Sequence, residues 1–355
     1  MSRVVLLKTG ALGDVLRTTS ILPGLARREA PLELVWVTAP SAVDLVRSHP
    51  DVARVIAADP TRADFGEVVL RELGAGPVER VLSFDDEHAV CAVASAVVAR
   101  HGARISGAYA DASGALVYTP DVAPWFDMGL LSVHGRERAD ALKRVNTRSH
   151  AQIHADMLGL EAGRPRLDLP AEHVERAREV ALRLGLTPAR RWIGLNTGAG
   201  GRWTGKRLPE ERTAELAVAV DRARPGATGF VVLGGQAEAE RNRRITQLLR
   251  DAHVPAVDAG VDHSVLTFAA LVDRLDVLVT SDSLALHVGV ARGVPVVCFF
   301  APTSAAEIDL WGRGTKVVST APDVCSYRPD ADTSTLTVER LLPPVLHWLD
   351  VGRSG

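Results

Sequence analysis

The chain has 355 residues, 41 of them basic and 43 acidic, giving a net charge of −2, and it is 46% hydrophobic and 24% charged. That length exceeds one small core and fits two domains of about 150–200 residues each, with a balance that excludes disordered and fibrous classes. A near-neutral chain also lacks the basic excess that releases counterions from a polyanion, so no nucleic-acid partner is expected.

All but four of the basic residues are arginine, the lysines being Lys8, Lys143, Lys206 and Lys316. With abundant Ala, Val and Gly, this reads as the coding bias of a GC-rich genome. Cys91, Cys298 and Cys325 are odd in number, far apart and in no CxxC spacing. Neither a disulfide framework nor a zinc site is expected, and a reducing compartment is the default. The opening MSRVVLLKTG has the features of neither a signal nor a transit peptide. No run approaches the ~18 apolar residues of a membrane span. A cytoplasmic protein is the expectation.

In chain order, RVVLLK at 3–8 reads as a strand, followed by a helix over 14–28. ELVWVT at 33–38 and RVLSF at 80–84 are further strands, and a helix is predicted over 91–101. EAGRPRLDLP at 161–170 breaks the pattern, and a helix over 171–185 leads to a second series. Its strands are WIGLN at 192–196, GFVVLGG at 229–235, VLVTSD at 277–282 and VPVVCFF at 294–300. Helices fall over 209–223, 236–251, 264–274, 284–292 and 334–350. The strands are continuously apolar, as a parallel sheet covered on both faces requires, and strand–helix alternation means doubly wound α/β. The expected domains are 1–165 and 166–333, two Rossmann-like halves facing a central cleft. The segment 334–355 is a helix that could cross back onto the first domain.

Three strand ends carry chemistry. Lys8 to Val15 is a strand, a glycine turn and a helix start, with Asp14 near the helix N-terminus. Asp14 reads either as a helix cap or as a general base held ionised by the helix dipole. Asn196 to Arg207 contains four glycines, two threonines and the cations Arg202, Lys206 and Arg207. This is not a Walker A loop, but its backbone donors, hydroxyls and cations suit a diphosphate. The third is Thr280 to His287, where Ser281, Asp282 and Ser283 all read as caps and His287 falls one turn into the helix. Two such clusters in one half favour a shared nucleotide site. Glu238, just after Gly234 and Gly235, reads either as a first-turn helix residue favoured by the dipole or as an acceptor of hydrogen bonds from a ribose, with adenine near His263 and Leu266. Asp330-Ala331-Asp332 mimics a DxD metal motif but reads as a polar loop, while Asp85, Asp86, Glu87 and His88, after a strand, offer cleft carboxylates but lack metal-site spacing.

These clusters, in this order, resemble the ADP-heptose:lipopolysaccharide heptosyltransferases of glycosyltransferase family nine. The resemblance covers nearly the whole chain. It is carried by LLKTGALGDVLRTTSILPGL at 6–25, WIGLNTGAGGRWTGKRLPEE at 192–211 and VVLGGQAEAERNRRI at 231–245. Its most specific part is VTSDSLALHVGVARGVPVVCFFAPTSAAEIDLWGRG at 279–314. It implies a GT-B fold and inverting, metal-independent transfer, with ADP-heptose as donor substrate and no cofactor. The family's catalytic aspartate falls on Asp14 and its phosphate-binding lysine on Lys206. Its ADP contacts fall on Thr197, Gly198, Glu238, Asp282, Ser283 and His287, and Leu284 stands where better-studied members have glycine. For the acceptor, Gly13, Arg17, Arg62 and Arg136 are candidates, with Arg138 and Arg148 as further basic groups, because the family's basic cluster has no clear equivalent.

The function implied is transfer of a heptosyl unit to a hydroxyl, with lipopolysaccharide inner core as the first acceptor choice. A small natural-product acceptor is the alternative, and a nucleotide-sugar-binding protein or epimerase on the same fold is the rival class. A lipid acceptor implies a cytoplasmic enzyme peripheral to the inner membrane. Membrane contact would come through 123–138, where Trp125, Phe126, Leu130 and Leu131 flank a basic tail, although that stretch reads equally as a buried helix.

Overall fold

A computed structural model describes residues 2–201 and 203–352 of the chain. It divides into two compact units, Met1–Asp168 and Leu169–Gly355, so the division falls just past the expected break at 165.

The first unit holds β1 (Ser2–Leu7), β2 (Leu32–Thr38), β3 (Arg54–Ala57), β4 (Arg80–Ser83), β5 (Arg104–Ala110) and β6 (Leu116–Tyr118). Their order in the sheet is β3-β2-β1-β4-β5-β6. All pairings are parallel except that of β5 with β6. Val4, Val5, Leu6 and Leu7 are all fully buried, because helices cover both faces of the central strand. Val5, Leu7, Val35 and Val37 share one core with Val90, Val93 and Val97 of the helix His88–His101. Trp36 is fully buried and donates its indole N–H to the Lys8 carbonyl at 3.1 Å, so its one polar atom is satisfied. Strand order reverses at β1, which has β2 on one side and β4 on the other. Ligands of open α/β sheets bind at the carboxyl ends of such strands.

Where one helix was expected over 14–28, the chain forms Leu12–Thr18, a 3-10 turn at Thr19–Ile21, and a second helix Leu22–Arg28. Pro23 sits in the first turn of that second helix, where it can begin a helix but not continue one. The stretch 123–138 is not one helix. Ala123–Phe126 forms a single turn with Phe126 buried, Leu131 is half-buried, and Leu130 is 82% exposed. A polar helix, Arg136–Val145, follows.

The second unit repeats the arrangement with β7 (Arg191–Asn196), β8 (Thr228–Leu233), β9 (Ala256–Asp258), β10 (Val277–Ser281), β11 (Val296–Phe300) and β12 (Gly314–Val318). The order is β12-β11-β10-β7-β8-β9, parallel throughout. Here the reversal lies at β7, between β8 and β10. The last helix, Val338–Val351, which the sequence left free to return to the first domain, buries Leu341, Val345 and Leu349 in the second unit's own core with Val220 and Val317. No described helix is long and apolar enough to cross a membrane.

Candidate active site

In the first unit, the carboxyl ends of β1 and β4 are stitched together by Asp85. Its carboxylate accepts from Lys8 Nζ, from the Thr9 backbone N–H and from Thr9 Oγ1 at 2.7 Å. Burial alone would lower the Lys8 pKa, but the adjoining Asp85 charge overturns that and leaves it raised. The Asp85 side chain is 2% exposed. The sequence offered Asp85, Asp86 and Glu87 as available cleft carboxylates; Asp85 is instead committed to holding the chain at the exit of β1.

Asp14 follows on that exit. The helix begins at Leu12 with Ala11 at the N-cap and no side-chain cap bond, so Asp14 sits inside the first turn and is not the cap. Its side chain is 37% exposed, and Arg17 Nη2 lies 2.9 Å from its Oδ1. Arg17 is itself held with its guanidinium 5.5 Å from the Trp125 ring centre. Trp125 meets His150 and His154 edge-on at 5.1 and 4.9 Å, and the two imidazoles stack at 3.7 Å. His154 Nδ1 pairs with the His150 carbonyl at 3.0 Å, which makes it the donor. Burial, helped by the Arg17 charge, pushes the His154 pKa down to about 3. Sequence reasoning missed this aromatic support; its local trace is the pair of histidines at i, i+4 on the helix His150–Leu158.

Gly13 is buried beside Asp14 in the same turn. The other acceptor candidates are exposed on the first unit's surface. Arg62 is bidentate to Asp64 at 2.9 and 3.1 Å, Arg136 is 84% exposed and 4.0 Å from Asp140, and Arg148 pairs with Asp156. The structure therefore brings Gly13, Asp14 and Arg17 together in one turn and pairs Arg62 and Arg136 each with a local acid.

In the second unit the strand-order reversal gathers the two clusters singled out in the sequence. Asn196 Nδ2, at the end of β7, donates toward the Gly198 carbonyl at 2.8 Å, Thr280 Oγ1 at 3.0 Å and Ser283 Oγ at 3.2 Å. Lys206 Nζ lies 3.0 Å from Asp282 Oδ2 and 5.2 Å from the Trp203 ring centre. His287 Nε2 is 3.7 Å from Asp282 Oδ1. Ser283 occupies the N-cap of the helix Leu284–Arg292 but makes no cap bond; its hydroxyl meets Thr280 and Asn196 instead. The cap reading of Ser281, Asp282 and Ser283 gives way to a polar network across two strand ends. Leu284 is half-buried at the helix start.

Glu238 braces the loop after β7. Its Oε1 accepts from the Gly200 N–H at 3.1 Å and its Oε2 from the Gly235 N–H at 3.0 Å, and its side chain is 4% exposed. A Cβ at Gly198 would come within 2.5 Å of Oε1, so this approach demands glycine. Thr197 Oγ1 donates to Asn242 Oδ1 at 2.5 Å. Both Glu238 oxygens thus already serve backbone donors, where the sequence suggested a carboxylate open to a ribose. His263 Nε2 pairs with the Ala259 carbonyl at 2.7 Å, and Leu266 is buried. Arg202 lies outside the described residues.

Asp330 is exposed beside Arg328, and Asp332 accepts from Ser334. Among the described residues, no group of three His, Cys, Asp or Glu is arranged to hold a metal ion.

The family model of glycosyltransferase family 9 (heptosyltransferase) matches residues 129–334, more than half of the chain. The chain belongs to this family. The match spans Thr197, Lys206, Glu238, Asp282 and His287 and begins after Asp14. No curated protein matches the chain. Among solved structures, a family 9 glycosyltransferase from Veillonella parvula is similar at a TM-score of 0.77 and 20% identity, over 99% of this chain and 98% of that one. E. coli ADP-heptose lps heptosyltransferase II follows at 0.65 and 15%, over 99% of each chain. E. coli heptosyltransferase WaaC with ADP-2-deoxy-2-fluoro heptose gives 0.60 and 19%, over 97% and 99%. These likenesses show the fold, the two-domain GT-B fold. This family 9 glycosyltransferase thus has two Rossmann-like units, each with polar and charged groups gathered where its strand order reverses.

Proposed function

We propose that this glycosyltransferase moves a heptosyl unit from ADP-heptose to a hydroxyl of the lipopolysaccharide inner core, inverting the anomeric centre without a metal. The observation that carries the reading is Lys206 paired with Asp282 at the strand-order reversal of the second unit, in a chain of the heptosyltransferase family. Similarity in fold to E. coli ADP-heptose lps heptosyltransferase II and to heptosyltransferase WaaC with ADP-2-deoxy-2-fluoro heptose supports the donor and the acceptor class.

In this mechanism Asp14 accepts the proton of the acceptor hydroxyl as its oxygen attacks the anomeric carbon. The bond from that carbon to the diphosphate breaks, and its electron pair leaves with ADP. Arg17 fixes the carboxylate through Oδ1. Lys206 exchanges Asp282 for the diphosphate, and backbone amides at 198–201 and 282–284 donate to the growing charge, as preorganised donors do in other leaving-group sites. Thr197, Ser283 and His287 complete the donor pocket, and Glu238 holds the loop that forms its floor.

A small-molecule hydroxyl acceptor for the same donor is the second reading. It is favoured by the pairing of Arg62 and Arg136 with Asp64 and Asp140, which offsets the charge of both candidate acceptor groups. With a lipid acceptor, the enzyme works in the cytoplasm at the face of the inner membrane.

Calorimetry with ADP, UDP and GDP tests the donor. ADP is expected to bind tightest, and tightest binding of UDP would remove the heptose reading while leaving the fold. Incubation with ADP-heptose, with and without heptose-free inner-core lipopolysaccharide, tests the reaction. Sugar transfer only in the presence of that acceptor is expected. Free sugar or an isomer formed without it would replace transfer by hydrolysis or epimerisation.

A further inference from the structure

The loop between β7 and the helix Glu210–Ala223 carries Thr197, Gly198 and Lys206 of the proposed donor site, yet it contains little regular structure. Its carbonyls at the two stems, Thr197 and Leu208, lie outside any strand ladder or helix. Both accept from one side chain. Arg241, in the helix Ala239–Asp251, donates from Nε to the Thr197 carbonyl at 2.9 Å and from Nη2 to the Leu208 carbonyl. Its Nη1 lies 3.6 Å from Glu210 Oε1, and the side chain is 14% exposed.

A guanidinium presents these N–H groups in a rigid planar fork, so one residue ties together two backbone points eleven positions apart in sequence. The neighbouring Asn242 accepts from Thr197 Oγ1 on the same stem. On the shoulder of the loop, Arg207 Nη2 donates to the Gly200 carbonyl at 2.9 Å, and Gly200 N–H donates to Glu238. The turn bearing Lys206 is fixed from beneath as well, since Gly205 N–H donates to the Pro329 carbonyl at 2.6 Å. Stem, shoulder and turn are thus held separately, and at the stem Arg241 bonds both carbonyls.

We infer that Arg241 is the positioning residue of this loop, closing its two stems so that Lys206 is presented to the diphosphate. The inference rests on the proposed donor site. Loop ends that are already joined have no closure entropy left to lose when the ligand binds, so the gain falls on donor affinity. Lysine at this position keeps the charge but offers a point donor that cannot span both carbonyls in one plane.

The test uses R241K and R241Q in the full chain. ADP affinity is measured by calorimetry, trypsin cleavage after Lys206 and Arg207 is timed, and donor KM and kcat are measured alongside Tm. Both variants are expected to bind ADP about tenfold more weakly, which is about 1.4 kcal/mol. The loss should fall on donor KM more than on kcat, with faster cleavage at Lys206 or Arg207, and R241K should not rescue it. Wild-type ADP affinity and wild-type trypsin resistance in R241K would overturn the inference, as would a lowered Tm with both of these unchanged. If R241Q does not fold, R241K decides. If the wild-type chain itself binds no ADP, the donor reading falls, and the trypsin arm still decides whether Arg241 closes the loop.

Discussion

Lys206 Nζ lies 3.0 Å from Asp282 Oδ2, so the cation proposed to meet the diphosphate is already engaged by a carboxylate. A diphosphate has to displace that partner, and the remaining acid then stands near the incoming negative charge. K206M is expected to weaken ADP binding about tenfold to a hundredfold, the scale of a lost hydrogen bond between charged groups. D282N should bind free ADP a few-fold more tightly than wild type, about 1 kcal/mol or less. Calorimetry at fixed ionic strength separates the two, and unchanged ADP affinity in K206M would remove Lys206 from the donor site.

Asp14 and the proposed donor contacts lie in different units of the chain. D14N should therefore lower kcat by about 10²–10⁴-fold, the usual contribution of a general base, with ADP affinity nearly intact. Lost affinity with unimpaired turnover would reverse the assignment. Turnover should also survive EDTA; full inhibition would return attention to Asp330 and Asp332.

The buried Lys8–Asp85 pair supplies a stability prediction. Removing one partner strands the other charge, and D85N additionally weakens acceptance of the Thr9 N–H and hydroxyl bonds. Its cost is expected near about 3–5 kcal/mol by urea denaturation. K8M/D85N, which leaves no stranded charge, should be more stable than D85N alone. A D85N variant as stable as wild type would show that the β1 and β4 ends need no such tie.

Two buried imidazoles set an acid limit. Burial holds His49 below its ordinary pKa and pushes His154 down to about 3. Above pH of about 6.5 neither state of the protein binds these protons and nothing is lost. As pH falls below that, the unfolded chain takes protons that the folded one refuses, so stability declines toward about pH 3. For His154 the slope approaches about 1.4 kcal/mol per pH unit. Urea midpoints at pH 7.5 and 5 should show the decline, and H154Q should make it shallower. An identical pH slope in H154Q would remove His154 from this account.

Continuous apolar runs marked the central strands β1, β2, β4, β7, β8, β10 and β11 in the sequence, because a strand covered on both faces has no polar side to show. The glycine turns that follow β1 and β7 were legible for the same local reason, and with them Asp14 and Lys206. The edge strands were not. Arg54–Ala57 is half-exposed and Ala256–Asp258 only partly buried, so each gets its strand form from a neighbour's hydrogen bonds and carries no apolar run of its own. What the side chains do at the two strand-end clusters also came from tertiary structure. Asp85 reads as an available acid until β4 is set beside β1, which brings it to Lys8 and Thr9 across more than seventy residues. Glu238 reads as an open acceptor until β8 is set beside β7 and its oxygens meet Gly200 and Gly235. Arg241 carries no local sign of a role, and the same pairing brings Thr197 and Leu208 to its guanidinium. Local patterns report what one segment buries, whereas a buried carboxylate or guanidinium takes its role from partners that only the order of strands in the sheet selects.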